Sequence, residues 1–263
     1  MQGRVWVITK SFLVLVCVLA LWQSIVILNH IPPYLVPGPG LVLTALRDRF
    51  PALVQSLGIT TLEAWGGLAA AIIVGVMVAM LFAQWRTLRQ LMLPYTVLLQ
   101  TVPIVAVAPL LINWIGAGLF AVATVTFIIC LPPIIANTTQ GLISIDENLI
   151  HLFLMHKATR TQVLFKLRFP NALPNLFTGI RISAGISVVG AITGELFAGS
   201  PRVGEGGLGY AIIYANNQME TSYMFALVLA ATFLGFGFFF LVMFMEWLVL
   251  RHWHESKRAA EAE

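Results

Sequence analysis

Residues 144–174 read SIDENLIHLFLMHKATRTQVLFKLRFPNALP, a polar and basic island between long apolar segments. If those segments cross a membrane, the island is the largest surface this chain offers to a soluble partner. Ser144 and Glu147 stand at capping-box spacing, the serine accepting from first-turn amides and the glutamate reaching back. A short amphipathic helix is expected to follow.

Composition supports the membrane premise. Over 263 residues, 59% are hydrophobic and 10% charged, and the mean hydropathy is +0.90. Soluble domains run at roughly 45–50% apolar and 25% charged, so a soluble core cannot hide this much apolar surface. The net charge of +4 does not point to nucleic acid, because the basic residues cluster beside apolar segments, where they act as topology signals. One membrane domain over residues 1–263 is expected, with 144–174 as a loop within it.

A crossing helix needs about 20 mostly apolar residues, and segments at roughly 11–30, 61–83, 92–114, 119–138, 176–197 and 223–250 qualify. The first is too long for a secretory signal core and lacks a small-x-small cleavage site, so it is expected to be a retained anchor. Arg4, Lys10, Arg86, Arg89, Lys157, Arg160, Lys166, Arg168, Arg251, Lys257 and Arg258 fall on one side of the resulting path, and Arg47, Arg49 and Arg202 on the other. The positive-inside rule then puts both termini and the 144–174 island in the cytoplasm. The fold class expected is all-α, a polytopic membrane protein of about six transmembrane helices.

Within this frame several residues stand out. Pro32, Pro33, Pro37 and Pro39 with Gly38 and Gly40 make an outer linker, and Leu41–Leu57 is either a short interfacial helix or an ordinary connection. Gly67, Ala71, Gly75 and Ala79 recur every fourth residue, which lets another helix backbone approach closely without saying which one. Glu63 is expected at the outer interface. The third span carries Pro94, Pro103 and Pro109 with Gln100 and Asn113. Carbonyls freed by proline are tolerated only against protein or a watery cavity, so this span is expected to face the interior. Arg181 lies near the cytoplasmic face, where it can snorkel. Glu195 has apolar neighbours at membrane depth; it is either a functional site or a hydrogen-bonding link to another helix.

Other chemistries are excluded. Cys17 and Cys130 lie in apolar stretches without metal-ligand spacing and read as packing residues. His151 and His156 are too far apart to share a helical face as metal ligands, so no metal site is expected. The glycine-rich stretch from Gly199 to Tyr210 has neither the preceding strand nor the Gly-Lys-Ser/Thr of a phosphate-binding loop. There is no catalytic constellation and no nucleotide-binding signature. Energy for uphill transport therefore has to enter through a partner, or the chain is a passive or ion-coupled carrier.

Several motifs together carry a resemblance. The island holds Asp146-Glu147, Ala158-x-Arg160-x-Gln162, Phe165-Lys166 and Phe169-Pro170-x-Ala172-Leu173-Pro174. Elsewhere stand Thr101-Val102-Pro103, Pro109-Leu110, Trp114-x-Gly116, Pro133 through Asn137-Thr138 to Gly141-Leu142, and Gly207-Leu208-Gly209-Tyr210. Together these resemble the permease subunits of ABC importers for nitrate, sulfonates, taurine and related solutes. The island is similar to that family's coupling loop, which usually reads Glu-Ala-Ala, three residues, then Gly. Here those positions hold His151, Leu152 and Phe153, with Lys157 at the glycine position.

The resemblance implies an inner-membrane assembly of two permease subunits, two cytoplasmic ATPases carrying ATP and Mg, and a solute-binding protein outside. It has no cofactor in this chain. A coupling helix at about Leu149–Phe165 would meet an ATPase through His151, Leu152, Phe153, Lys157, Ala158, Arg160, Phe165 and Pro170. Gln100, Asn113, Asn137, Ser187 and Glu195 are candidates for the translocation path. Arg202, Glu205 and Glu220 are candidates for docking the binding protein. The solute is expected to be nitrate-, sulfonate- or taurine-like, or a pyrimidine precursor; an ionised Glu195 on the path would favour the latter. The alternative is an ion-coupled carrier or channel that works without an ATPase.

Overall fold

The computed structural model describes residues 2–198 and 206–260, which form helices joined by short connections. In order these are α1 (Gln2–Leu28), α2 (Pro39–Asp48), α3 (Phe50–Gln84), α4 (Arg86–Leu99), α5 (Ile104–Ile115) and α6 (Leu119–Ile143). Then come α7 (Glu147–Met155), α8 (Arg160–Val163), a π-helical turn at Leu164–Arg168, α9 (Phe169–Ala198), α10 (Leu208–Asn217) and α11 (Thr221–Ala260).

Length and apolar composition allow α3, α6, Arg160–Ala198 and Thr221–Arg251 each to cross a membrane, while α4 and α5 make one further crossing bent by 98°. In α1 the apolar stretch Val16–Leu28 is shorter. The bend corrects the expectation of one continuous third span. Pro103 has no N–H to donate, and a residue preceding proline avoids helical angles. The helix therefore stops at Leu99 and restarts at Ile104.

Within the protomer this span lies at the margin of the bundle. Of the bent pair, Thr96, Ala108 and Ile112 are buried, while Leu91, Tyr95, Val105, Leu110 and Trp114 are exposed on the surface of the protomer. The prolines break the chain at an exposed elbow instead of kinking a helix inside the bundle.

The centre of the bundle is α3, α6 and α9. A Cβ on Gly67 of α3 would lie 2.5 Å from Cβ of Thr126, and one on Gly75 would lie 2.8 Å from Ile134. The partner of the small-residue stripe is therefore α6, running parallel to α3. Helix α9 packs on α6 in the opposite sense: Gly194 faces Val122, Gly190 faces Thr126, and Gly179 faces the Pro133 carbonyl, where a Cβ would stand 3.0 Å away. In lipid, such close backbone approach is a main source of helix association. Around this contact lies the central core, with Leu68, Ile134, Ala184 and Val188.

Two smaller cores close the ends. Val42, Leu53, Leu208, Tyr223 and Leu227 gather α2, α3, α10 and α11 at one end. Ala79, Ala83, Leu142, Leu164 and Ala172 join α3, α6, the π-helical turn and α9 at the other. The stretch expected as an interfacial helix at Leu41–Leu57 is instead split at Arg49. Helix α2 ends at Asp48, and α3 starts at Phe50 with Pro51 in its first turn, where a missing N–H costs little.

Candidate functional site

Between α6 and α9 the island forms the outermost structure at its end of the bundle. Helix α7 is capped by Asp146, whose side chain accepts from the Asn148 amide. The expected capping box of Ser144 and Glu147 is thus corrected: Ser144 ends α6 and its hydroxyl donates to the Gly141 carbonyl at 3.2 Å. The capping box that does form is Thr159 with Gln162, opening α8. Instead of one helix over Leu149–Phe165, α7 ends at Met155 and a turn through Lys157, at φ 57°, intervenes. The family's glycine position coincides with a left-handed residue, for which a lysine is strained by about 1–2 kcal/mol.

After α8 the chain widens into the π-helical turn and runs straight into α9, so the helix starts before the expected residue 176. Pro170 cannot donate to the carbonyl four residues back, and a widened turn just ahead of it accommodates the missing bond. The turn is anchored on both sides. Leu164 is buried against α3 and α6, and the Arg168 guanidinium donates to the Ala83 carbonyl at 2.8 Å, near the end of α3.

None of the residues of α7 is buried. Leu152, Leu154 and Met155 are exposed apolar side chains, Met155 at 81%. Of the expected coupling residues, His151, Leu152, Lys157, Arg160 and Phe165 are exposed, and Phe153, Ala158 and Pro170 half-buried. Leu152, Phe153 and Ala158 line a cleft of about 350 Å³ together with His156, Gln162 and Lys166. Those last three were not among the expected coupling residues; Gln162 and Lys166 come together with Leu152 and Phe153 only across the turn at Lys157.

The opposite end holds a buried polar cluster. Thr60 of α3 donates its hydroxyl to Glu195 Oε1 of α9 at 2.6 Å. Its oxygen accepts the Leu208 amide at 2.8 Å, and Glu195 Oε2 accepts the Gly209 amide at 2.6 Å. Glu63, one turn along α3 from Thr60, is a buried neighbour of Glu195. Glu63 and Glu195 are 4% and 3% exposed, so Glu63 is not the interfacial residue expected. Its position on α3 lies beside Glu195 of α9, which nothing in the local sequence announces.

The path candidates separate in the same way. Gln100 and Asn113 are exposed on the bent pair, and Asn137 is half-buried with its amide on the Pro133 carbonyl at 2.8 Å. Ser187 is fully buried and bonded to the Ala184 carbonyl at 2.9 Å. Within the protomer Ser187 and Glu195 are both engaged in contacts inside the bundle. Glu220 pairs with Arg49 of the α2–α3 turn, while Arg202 and Glu205 lie outside the described residues. Arg181 does not simply snorkel; it pairs with Glu246 of α11 at 2.6 Å.

Comparison with known proteins converges on one family. Residues 67–252 match the binding-protein-dependent transport system inner membrane component. The chain belongs to that family. The permease is 31% identical over 242 residues, 92% of this chain and 96% of the relative, to a probable ABC transporter permease protein of Haemophilus influenzae. It is 33% identical to the riboflavin transport system permease protein RibX of Chloroflexus aurantiacus, covering 92% of this chain and 89% of the relative. To the formylaminopyrimidine transport permease protein ThiX of Halalkalibacterium halodurans it is 30% identical, covering 77% of this chain and 80% of the relative.

Its fold is that of an inward-facing MetNI methionine ABC transporter chain, with a TM-score of 0.53 at 21% identity over 82% of this chain and 98% of that one. The permease is thus an inner-membrane subunit of an ABC importer, and the reading as an ATPase-independent carrier gives way. Such subunits work with ATPases and substrate-binding proteins, so the exposed α7 and the buried cluster at the other end gain functional meaning.

Proposed function

We propose that this subunit carries a small neutral heterocyclic solute across the membrane, driven through α7 by an ATPase docked on the cytoplasmic side. The observation that carries the coupling reading is α7 itself, a helix with no buried residue held between the ends of α6 and α9. Exposed Leu152, Leu154 and Met155 have no reason to face water unless a partner covers them. The basic residues of the same end, among them Arg86, Arg89, Lys157, Arg160, Lys166 and Arg168, support a cytoplasmic position.

Force on α7 has a route inward. Leu164 and Arg168 tie the turn to α3, and the turn continues into α9, so a tilt of α7 reaches both. A nucleotide-driven change in the ATPase shifts the permease only by its different affinity for α7 in the two states. Two permease subunits then enclose the path, with Gln100 and Asn113 of the bent pairs facing it.

The solute reading rests on charge and on kinship. The basic residues of the described crossing segments other than Arg181 lie toward the segment ends, and Arg181 is paired with Glu246, so an anion would meet little free positive charge at mid-depth. Exposed Tyr95 and Trp114 on the bent pair offer aromatic surface to a planar ring instead. Relatives named for riboflavin and formylaminopyrimidine match at 33% and 30% identity, against 27% for one named for aliphatic sulfonates and 26% for one named for taurine.

Uptake of labelled riboflavin, formylaminopyrimidine, taurine and nitrate by cells expressing the whole transporter tests the solute. Saturable, ATP-dependent uptake of a heterocycle is expected; taurine or nitrate uptake without it would refute the class. Co-purification tests the coupling: Leu152→Asp is expected to shed the ATPase while the permease stays folded in the membrane.

A further inference from the structure

Helix α10 has an unusual beginning. Its first residue follows Gly207, and no side chain of its own caps the first turn. Helix starts normally take Ser, Thr, Asp or Asn there, to satisfy amides that have no partner within the helix. Here the amides of Leu208 and Gly209 end on Thr60 and Glu195, which belong to two other helices. A carboxylate at this position also complements the positive end of the helix dipole.

The glycines around the contact fit it closely. A Cβ on Gly207 would fall on the Glu195 carboxyl group, and one on Gly209 would lie 3.0 Å from Glu195 Oε2 and 2.5 Å from the Ile192 carbonyl oxygen. The backbone of α10 thus sits against α9 with no room for a side chain between them. Behind Glu195 stands Glu63, whose buried Oε2 faces no hydrogen-bond donor of the protein. Glu63 and Glu195 are thus neighbouring carboxyl groups in one buried site.

We propose that Glu195 is a positioning residue that fixes α10, through Thr60 and with Glu63 behind it, so that docking of the solute-binding protein on this end is felt by the rest of the bundle. This rests on the importer reading above. Apolar packing alone would let α10 slide by small steps. A buried hydrogen-bond network holds one arrangement or breaks outright, because a half-broken network leaves a buried polar group unpaired. Glu195 sits near the end of α9, whose other end continues back through the π-helical turn and α8 to Arg160, just past the turn that follows α7. One continuous helical rod therefore runs from the contact with α10 to the base of the proposed ATPase contact.

The test uses the complete complex of permease, ATPase and cognate solute-binding protein in proteoliposomes, with ATP hydrolysis measured against binding-protein concentration. Glu195→Gln keeps the shape but leaves one acceptor oxygen for two donors. It is expected to raise the half-stimulating concentration about tenfold while hydrolysis without binding protein changes less than twofold. Thr60→Val should raise it severalfold, and Thr60→Ser, which keeps the hydroxyl, should restore it. Glu63→Gln, which leaves the Thr60 and Gly209 bonds to Glu195 in place, should stay within twofold of wild type.

Equal half-stimulating concentrations in wild type, Glu195→Gln and Thr60→Val would overturn the proposal. If Glu195→Gln fails to assemble, the Thr60 pair decides: equal values for valine and serine overturn it, and a valine-only defect supports it. A wild-type complex that ignores the binding protein altogether would instead bring down the importer reading, and this proposal with it.

Discussion

The two ends of this molecule treat helix ends and polar groups in opposite ways. At one end α7 is held at its margins and bare over its surface, with an exposed apolar face and a strained lysine in its turn. At the other, α10 is locked at its first turn by side chains of α3 and α9 that are almost wholly buried. The difference teaches where each contact finds its partner. The α10 contact is complete within the chain, whereas α7 is shaped for something the chain does not contain.

The strongest challenge to this contrast is Gly207→Ala. The new methyl must displace the Glu195 carboxyl, so it removes space and capping together. A loss of about 3 kcal/mol or more is expected, read as a drop in the thermal unfolding midpoint of the detergent-solubilised permease. A shift no larger than that of a surface substitution would mean that the α10 end is as loose as the α7 end.

Next in size is Leu152→Asp at the α7 end. It should lower recovered ATPase by at least about tenfold and move the unfolding midpoint little, since substitutions on exposed surfaces usually stay within about 0.5 kcal/mol. Both quantities falling together would show that α7 is part of the core.

Arg181→Ala probes the region between the ends. It strips Glu246 of its partner on a half-exposed pair, for which a cost of about 1 kcal/mol is expected. Thermal unfolding measures it, with Arg181→Ala/Glu246→Gln recovering part of the loss. The smallest effect is Lys157→Gly. Relief of the left-handed strain should stabilise the turn by a few tenths to about 1 kcal/mol. Hydrogen exchange at the Lys157 and Ala158 amides would show it as slower opening; faster opening would contradict the strain.

Much of the fold was legible from the sequence because membrane physics leaves few choices. The apolar runs at 61–83, 119–138, 176–197 and 223–250 became helices, and the spacing of Gly67 and Gly75 marked a close helix contact that the structure assigns to α6. Motif resemblance picked out the family that the match over residues 67–252 establishes.

What escaped reading depended on contacts between distant residues. Thr60 and Glu63 look unremarkable on an apolar helix, and their meaning comes from Leu208, 148 positions along the chain from Thr60. The prolines near Gln100 point to a span with freed carbonyls but do not say whether they kink one helix or break it in two, as happens before Pro103. At Ser144 the spacing suggested a cap, but α6 continues far enough to claim that residue, and Asp146 takes the role.

The glycines that bring α3, α6 and α9 into backbone contact carry a consequence for movement. With Thr126 against Gly67 and Gly190 alike, and the Pro133 carbonyl against Gly179, these helices have almost no slack to slide or roll over one another. Such a trio behaves as a stiff door leaf. Any rearrangement within the protomer therefore falls to elements outside the leaf, such as the elbow between α4 and α5.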